Sequence, residues 1–188
     1  PVIGMVTRIT EQKGFDLIME AMPWLLKLPL QLVVVGTGFK GYVDYFRKMA
    51  KKYPAKIGLF TPFTDQMASR VYAGSDMFLM PSRYEPCGIS QLISMRYGSI
   101  PIVHETGGLM ETITNFSPKR EKGTGFTFSS YTKEDLLMAI VRALETYKYN
   151  KVWETLVWRA MQTSFSWKLP AKKYLALYLR AMKKISTV

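Results

Sequence analysis

The feature that most constrains the fold of this chain is a regular exchange of short apolar, β-prone runs with amphipathic helical stretches. The runs Val2 to Val6, Leu32 to Val35, Ile57 to Phe60, Met77 to Met80 and Ile100 to Val103 alternate with helical periodicity at about Phe15 to Leu28, Val43 to Tyr53, Asp65 to Ala73 and Ile89 to Tyr97. Strands separated by crossover helices pair in parallel and need cover on both faces, so the pattern predicts a doubly wound, Rossmann-like α/β domain. Beyond Val103 the pattern loosens into a short helix near Leu109 to Thr114, a charged loop from Ser117 to Gly125 and the run Phe126 to Phe128. Three helical stretches follow, about Lys133 to Tyr147, Lys151 to Ser164 and Leu169 to Lys184. No internal repeat or linker interrupts the chain, and 188 residues suit one core, read as a body over 1–165 and a terminal helix over 166–188.

Composition narrows the class. With 48% apolar and 21% charged residues the chain is an ordinary globular one, and its longest apolar stretch, Leu25 to Val35, is broken by Lys27, Pro29 and Gln31, which excludes a membrane span there. The chain opens directly in a strand-like run without a secretory leader, and its lone cysteine, Cys87, fits a reducing compartment. Cytoplasm is therefore the expected location, or the plastid for a plant source. The net charge of +12 makes an anionic partner plausible, yet the cations are spread out, with clusters only at Lys119, Arg120 and Lys122 and between Lys168 and Lys184. Solvated helix faces explain them better than a polyanion patch, and no nucleic-acid motif is present.

In a parallel sheet, ligands bind beyond the carboxyl ends of the strands. Unusual residues collect at those ends. TRITEQKG after the first strand sets Arg8 and Lys13 beside the start of a helix, a natural clamp for a diphosphate; the alternative is that they pair with Glu11 or solvent. VVVGTGF brings Gly36 and Gly38 to the end of the second strand, where the backbone can approach a ligand or turn tightly, but without the third glycine of a dinucleotide site. PSRYEPCGISQ is the richest segment. Its turn would hold Glu85 over the cleft, able to accept bonds from sugar hydroxyls and to face charge developing at an anomeric carbon, while the amides of Ile89 and Ser90 face an anion. The alternative for Glu85 is a helix-capping acid.

The motifs TRITEQKG, VVVGTG, PSRYEPCGISQLISMRYGSIPIV, TGGLMETI and FSWKLPAKKY, in this order, resemble the carboxyl-terminal domain of bacterial and plant starch and glycogen synthases. The resemblance covers nearly the whole chain, and EPCG followed by TGGL is its most specific part. It implies the carboxyl-terminal half of a GT-B fold, a retaining glucosyltransferase that moves glucose from ADP-glucose to the non-reducing end of an α-1,4-glucan. It also implies that the missing amino-terminal half supplies much of the acceptor site. By the same resemblance, Arg8 and Lys13 neutralise the leaving nucleotide, Glu85 lies near the donor sugar, Gly88, Ile89 and Ser90 form the phosphate-facing turn, and Phe63 stacks on adenine. Gly36, Gly38, Cys87, His104, Thr106 and Gly107 complete the nucleotide-sugar-binding set. Many relatives carry a second glutamate eight residues after the first; Ile93 stands there instead, which favours the starch synthase branch. His104 and Glu105 stand before TGGL where some bacterial members have basic residues.

The remaining conspicuous residues have plainer readings. Cys87, with no partner cysteine and a single histidine in the chain, offers neither a catalytic thiol nor a metal site. His104 sits at a strand's carboxyl end, suited to a cleft contact. The 12 methionines and Trp153, Trp158 and Trp167 are read as packing. No cofactor, metal, nucleic acid or membrane partner is expected beyond ADP-glucose or ADP and the glucan. Two other readings stay open: a GT-B enzyme with a small-molecule or lipid acceptor, and a non-catalytic module for glucan or polyanion.

Overall fold

The computed structural model describes residues 1–120 and 122–185. Glu121 in the charged loop and residues 186–188 of the expected terminal helix lie outside them. Six parallel strands form one sheet in the order β3-β2-β1-β4-β5-β6, the doubly wound topology that the alternation predicts. In chain order the elements are β1 (Val2–Val6), α1 (Phe15–Leu25), β2 (Gln31–Val35), α2 (Lys40–Lys52), β3 (Ile57–Phe60), α3 (Asp65–Gly74) and β4 (Met77–Met80). The second half runs through α4 (Ser90–Arg96), β5 (Ile100–His104), α5 (Gly107–Thr112), β6 (Phe126–Phe128), α6 (Lys133–Tyr147), α7 (Asn150–Gln162) and α8 (Lys168–Ile185).

Every residue of the interior strands β4 and β5 is buried, as a sheet covered on both faces requires. On one face α1 meets α2 through Phe15 and Phe46, with ring centroids 5.2 Å apart, and also packs against α6. On the other, α4 packs against α3 and α7. Local chemistry sets the helix ends. Thr64 and Thr132 cap α3 and α6 by accepting from Met67 N and Asp135 N at 3.2 and 3.3 Å. The α1 periodicity runs on to Leu28, yet the helix stops at Leu25: Lys27 N and Leu28 N close tighter turns onto Trp24 O and Leu25 O at 2.9 and 3.2 Å, and Pro29 keeps Leu28 from continuing as helix. α2 starts three residues before Val43, with Phe39 O accepting from Val43 N at 3.1 Å.

The chain's direction across the sheet reverses between β1 and β4, and pairing is thin there. β1 pairs with β2 at five positions, Val2 to Val6, but with β4 only at Ile3 and Gly4. The carboxyl ends of β1 and β4 therefore part, and a void of about 40 Å³ bounded by Met5, Val6, Leu79 and Met80 opens between them.

Two readings of the tryptophans need correction. Trp153 is core, stacked on Phe126, but Trp158 is 65% exposed on the outer side of α7, and Trp167, just ahead of α8, is 72% exposed with its ring 6.4 Å from that of Tyr174. Along α8, Tyr174, Leu175, Leu177, Tyr178, Leu179 and Met182 are likewise exposed.

Candidate functional site

The loops after β1 and β4 leave the sheet in different directions and flank the crevice where the strands part, the place where a doubly wound sheet offers a binding cleft. The first loop contains a 3-10 turn, Glu11–Lys13, which delivers the Lys13 side chain to the crevice. From the opposite side the turn after β4 delivers Glu85, 7% exposed. The two meet, with Lys13 Nζ 2.5 Å from Glu85 Oε2, and the Ser82 hydroxyl donates to the same oxygen at 3.1 Å. Glu85 therefore does not cap α4, which begins without a side-chain cap. Lys13 pairs with neither of the partners weighed for it: Glu11 instead lies 3.3 Å from Arg83.

Arg8 is exposed and donates only to the neutral Gln12 side chain, Nη2 to Oε1 at 3.2 Å; among the described residues no carboxylate pairs with it. It projects into a cavity of about 600 Å³ that runs over the ends of β1 and β2 to Phe63, Asp65, Tyr72 and Ile93. Of the expected clamp, then, one cation carries an unneutralised charge into the cleft and the other is held by the expected sugar carboxylate.

Gly36 and Gly38 have a steric role. A Cβ at Gly36 would stand 1.9 Å from Thr7 O, and one at Gly38 2.1 Å from Ile9 O. Their lack of a side chain lets the loop after β2 lie against the loop after β1, where Ile9 N bonds Thr37 O at 2.8 Å. Phe63, 44% exposed, lines the far end of the same cavity as Arg8, so an aromatic face and a cation share one cleft.

The turn into α4 carries Cys87, Gly88, Ile89 and Ser90. Gly88 has φ +74°, a left-handed conformation that glycine adopts without strain, while Cys87 and Ile89 are exposed. Thr106 and Gly107 lie directly across, where Gly108 N donates to Glu85 O at 3.0 Å. His104 differs from the rest. It is 8% exposed, with Nδ1 2.8 Å from Ser82 O and Nε2 3.3 Å from Ser129 O, so it braces the loops after β4 and β6 from below rather than lining the cleft. The neighbouring Glu105 carboxylate accepts from Thr127 Oγ1 at 2.5 Å.

Residues that the sequence reading passed over hold this arrangement. Arg83 binds Asp16 at 2.8 Å and lies 4.5 Å over the Tyr131 ring, whose hydroxyl donates to the other Asp16 oxygen at 2.8 Å. Burial, then the bond to Asp16, pushes the Tyr131 hydroxyl well above the ordinary phenol pKa. With Arg83 N donating to Gln12 O at 3.0 Å, the loops after β1 and β4 are stitched together. Arg83 stood in view within PSRYEPCG; Asp16 and Tyr131 carry no signal except through their partners.

The chain is similar to known proteins over nearly its whole length. The family model described as glycosyl transferases group 1 matches residues 1–155. The chain is 49% identical to a glycogen synthase of Desulforudis audaxviator over 187 residues, 99% of this chain and 37% of that protein. It is 48% identical to a glycogen synthase of Clostridium novyi over 98% of its own length and 38% of the relative's. The chain thus spans little more than a third of these relatives. Among solved structures, the catalytic domain of starch synthase IV from Arabidopsis thaliana, bound to ADP and acarbose, superposes with a TM-score of 0.88 at 33% identity, covering 97% of this chain and 38% of that one. Among the described residues no helix is long and apolar enough to cross a membrane, and no three His, Cys, Asp or Glu side chains gather as a metal site.

Proposed function

The chain belongs to the glycosyl transferases group 1 family, and on that premise we propose that it is the donor-binding, carboxyl-terminal half of a GT-B enzyme that transfers glucose from ADP-glucose to the end of an α-1,4-glucan. The observation that carries the reading is the meeting of Lys13 and Glu85 from two loops across the crevice where β1 and β4 part, beside the cavity into which Arg8 projects. Two relatives named glycogen synthase and the ADP- and acarbose-bound starch synthase support the choice of nucleotide and glucan.

In this reading adenine lies toward Phe63 and the diphosphate toward Arg8, Lys13 and the Gly88–Ser90 turn. The cations meet charge that develops on the departing nucleotide, and Glu85 faces the anomeric carbon. The departing phosphate oxygen can itself take the acceptor hydroxyl's proton, so the proposed step calls on no cofactor. Cytoplasm, or the plastid in a plant, is the location this reading implies.

The test has two parts. Calorimetric titration of the chain should give saturable ADP binding, whereas a polyanion module would retain heparin with steep salt dependence and ignore ADP. Incubated with labelled ADP-glucose and glycogen, the chain should incorporate nothing while a two-domain relative does, because an unheld acceptor loses the positioning that lowers the barrier. Absence of ADP binding overturns the reading, and robust incorporation by the chain alone overturns the division of labour.

A further inference from the structure

We infer that Gln91 is a positioning residue that locks the Glu85–Ser90 turn to the start of α5 and thereby sets the diphosphate end of the cleft. Gln91 lies in the first turn of α4 with no exposed surface. Its Nε2 lies 3.3 Å from Cys87 O, 3.1 Å from Gly88 O and 3.2 Å from Thr112 Oγ1. The Thr112 hydroxyl in turn donates to Gly108 O at 2.6 Å. One buried amide therefore ties together the turn, α4 and α5.

The backbones it joins are already in contact. A Cβ at Gly107 would stand 2.1 Å from Glu85 O, and one at Gly108 2.0 Å from Cys87 O. A turn wedged this closely has two ways to relax, by sliding along α5 or by lifting from it, and the Gln91 NH2 group opposes both because it holds carbonyls on one side and a hydroxyl on the other. The carboxamide also fills the place where a Gly88 side chain would stand, 2.6 Å from Oε1. Oε1 is buried with no hydrogen-bond partner among the described residues. An unpaired buried acceptor is destabilising. The contribution of this side chain lies in what its NH2 group holds.

What the lock positions follows from the same turn. It carries Glu85, which holds Lys13, and Gly88 to Ser90, which border the void between β1 and β4. Phe63 and Asp65, at the other end of the cleft, belong to the segment after β3 rather than to this turn.

The inference rests on the nucleotide-diphosphate reading of the site, and titrations of the chain with ADP, inorganic pyrophosphate and adenosine separate the two. Gln91→Leu should weaken pyrophosphate and ADP by about tenfold, and Thr112→Val by about threefold. Adenosine affinity should stay within about twofold, and the double variant should be little worse than Gln91→Leu alone, since the two residues act through one contact. Wild-type pyrophosphate affinity in Gln91→Leu overturns the positioning role. So does an equal fall for adenosine, which marks general loss of structure, or fully additive losses in the double variant. Absence of ADP binding by the unaltered chain overturns the nucleotide reading and this inference with it.

Discussion

Lys13 and Glu85, 72 residues apart in sequence, form a close ion pair across the crevice, with side chains 15% and 9% exposed. The pair joins a cation expected to face phosphate to a carboxylate expected to face sugar. Under the proposed function each would meet its ligand by loosening from the other, which would couple their effects on binding and on stability.

Lys13→Ala leaves a mostly buried carboxylate unpaired and is expected to destabilise the fold by about 3 kcal/mol while also weakening ADP. Adding Glu85→Gln should restore most of the stability and none of the ADP affinity. Thermal melts and calorimetry on the single and double variants check this; recovery of ADP binding in the double variant would remove Lys13 from the phosphate site.

Arg8 has no such entanglement. Arg8→Ala should change stability by less than about 0.5 kcal/mol, yet weaken ADP by about 1.5 to 3 kcal/mol through loss of charge-assisted hydrogen bonds. Equal ADP affinity by titration in the variant and the original chain would show that the guanidinium faces water.

Phe63→Ala should weaken ADP by about 1 to 2 kcal/mol, the value of stacking a base on an aromatic ring, and leave pyrophosphate nearly unchanged. Competition titrations with the two ligands separate the outcomes. A pyrophosphate loss as large as the ADP loss would mean that the loop after β3 supports the whole cleft.

Tyr131 makes a prediction in pH. Its folded pKa is raised, first by burial and then by the Asp16 bond, so the folded state keeps the proton after the unfolded chain has lost it. This stabilisation is fully present below about pH 10, the ordinary phenol value, and is lost as pH climbs through the folded pKa. Tyr131→Phe should therefore flatten the fall in melting temperature above about pH 10. Parallel slopes for the two proteins would detach Tyr131 from alkaline unfolding.

The strands were legible in the sequence because five of the six runs are short apolar blocks bounded by turn residues, and α6 spans Lys133 to Tyr147 as its helical pattern predicts. α1 is shorter than its periodicity, which continues through Leu26 and Leu28, because its end tightens into i→i+3 turns ahead of Pro29. Arg8, Lys13 and Glu85 were visible as charges at strand ends, but spacing fixes only which loop a residue occupies and not which way its side chain turns. That is why the Lys13–Glu85 pair and the inward-facing His104 emerged only in three dimensions. Gln91 was a neutral residue inside a motif and gave no sign of its role, since a carboxamide acquires one only from the carbonyls around it.

The contact of Gly36 and Gly38 with the loop after β1 has a consequence for inheritance. Every codon change that replaces a glycine adds at least a Cβ, and at these two positions a Cβ would fall about 2 Å from a main-chain oxygen, 1.9 Å at Gly36 and 2.1 Å at Gly38. Neither site has a conservative neighbour in mutational space. Drift elsewhere along β2 can exchange one apolar residue for another, but any missense change here displaces Thr7 or Ile9, and with them the Arg8 that lies between, so the cation facing the cleft is guarded by two residues that carry no charge at all.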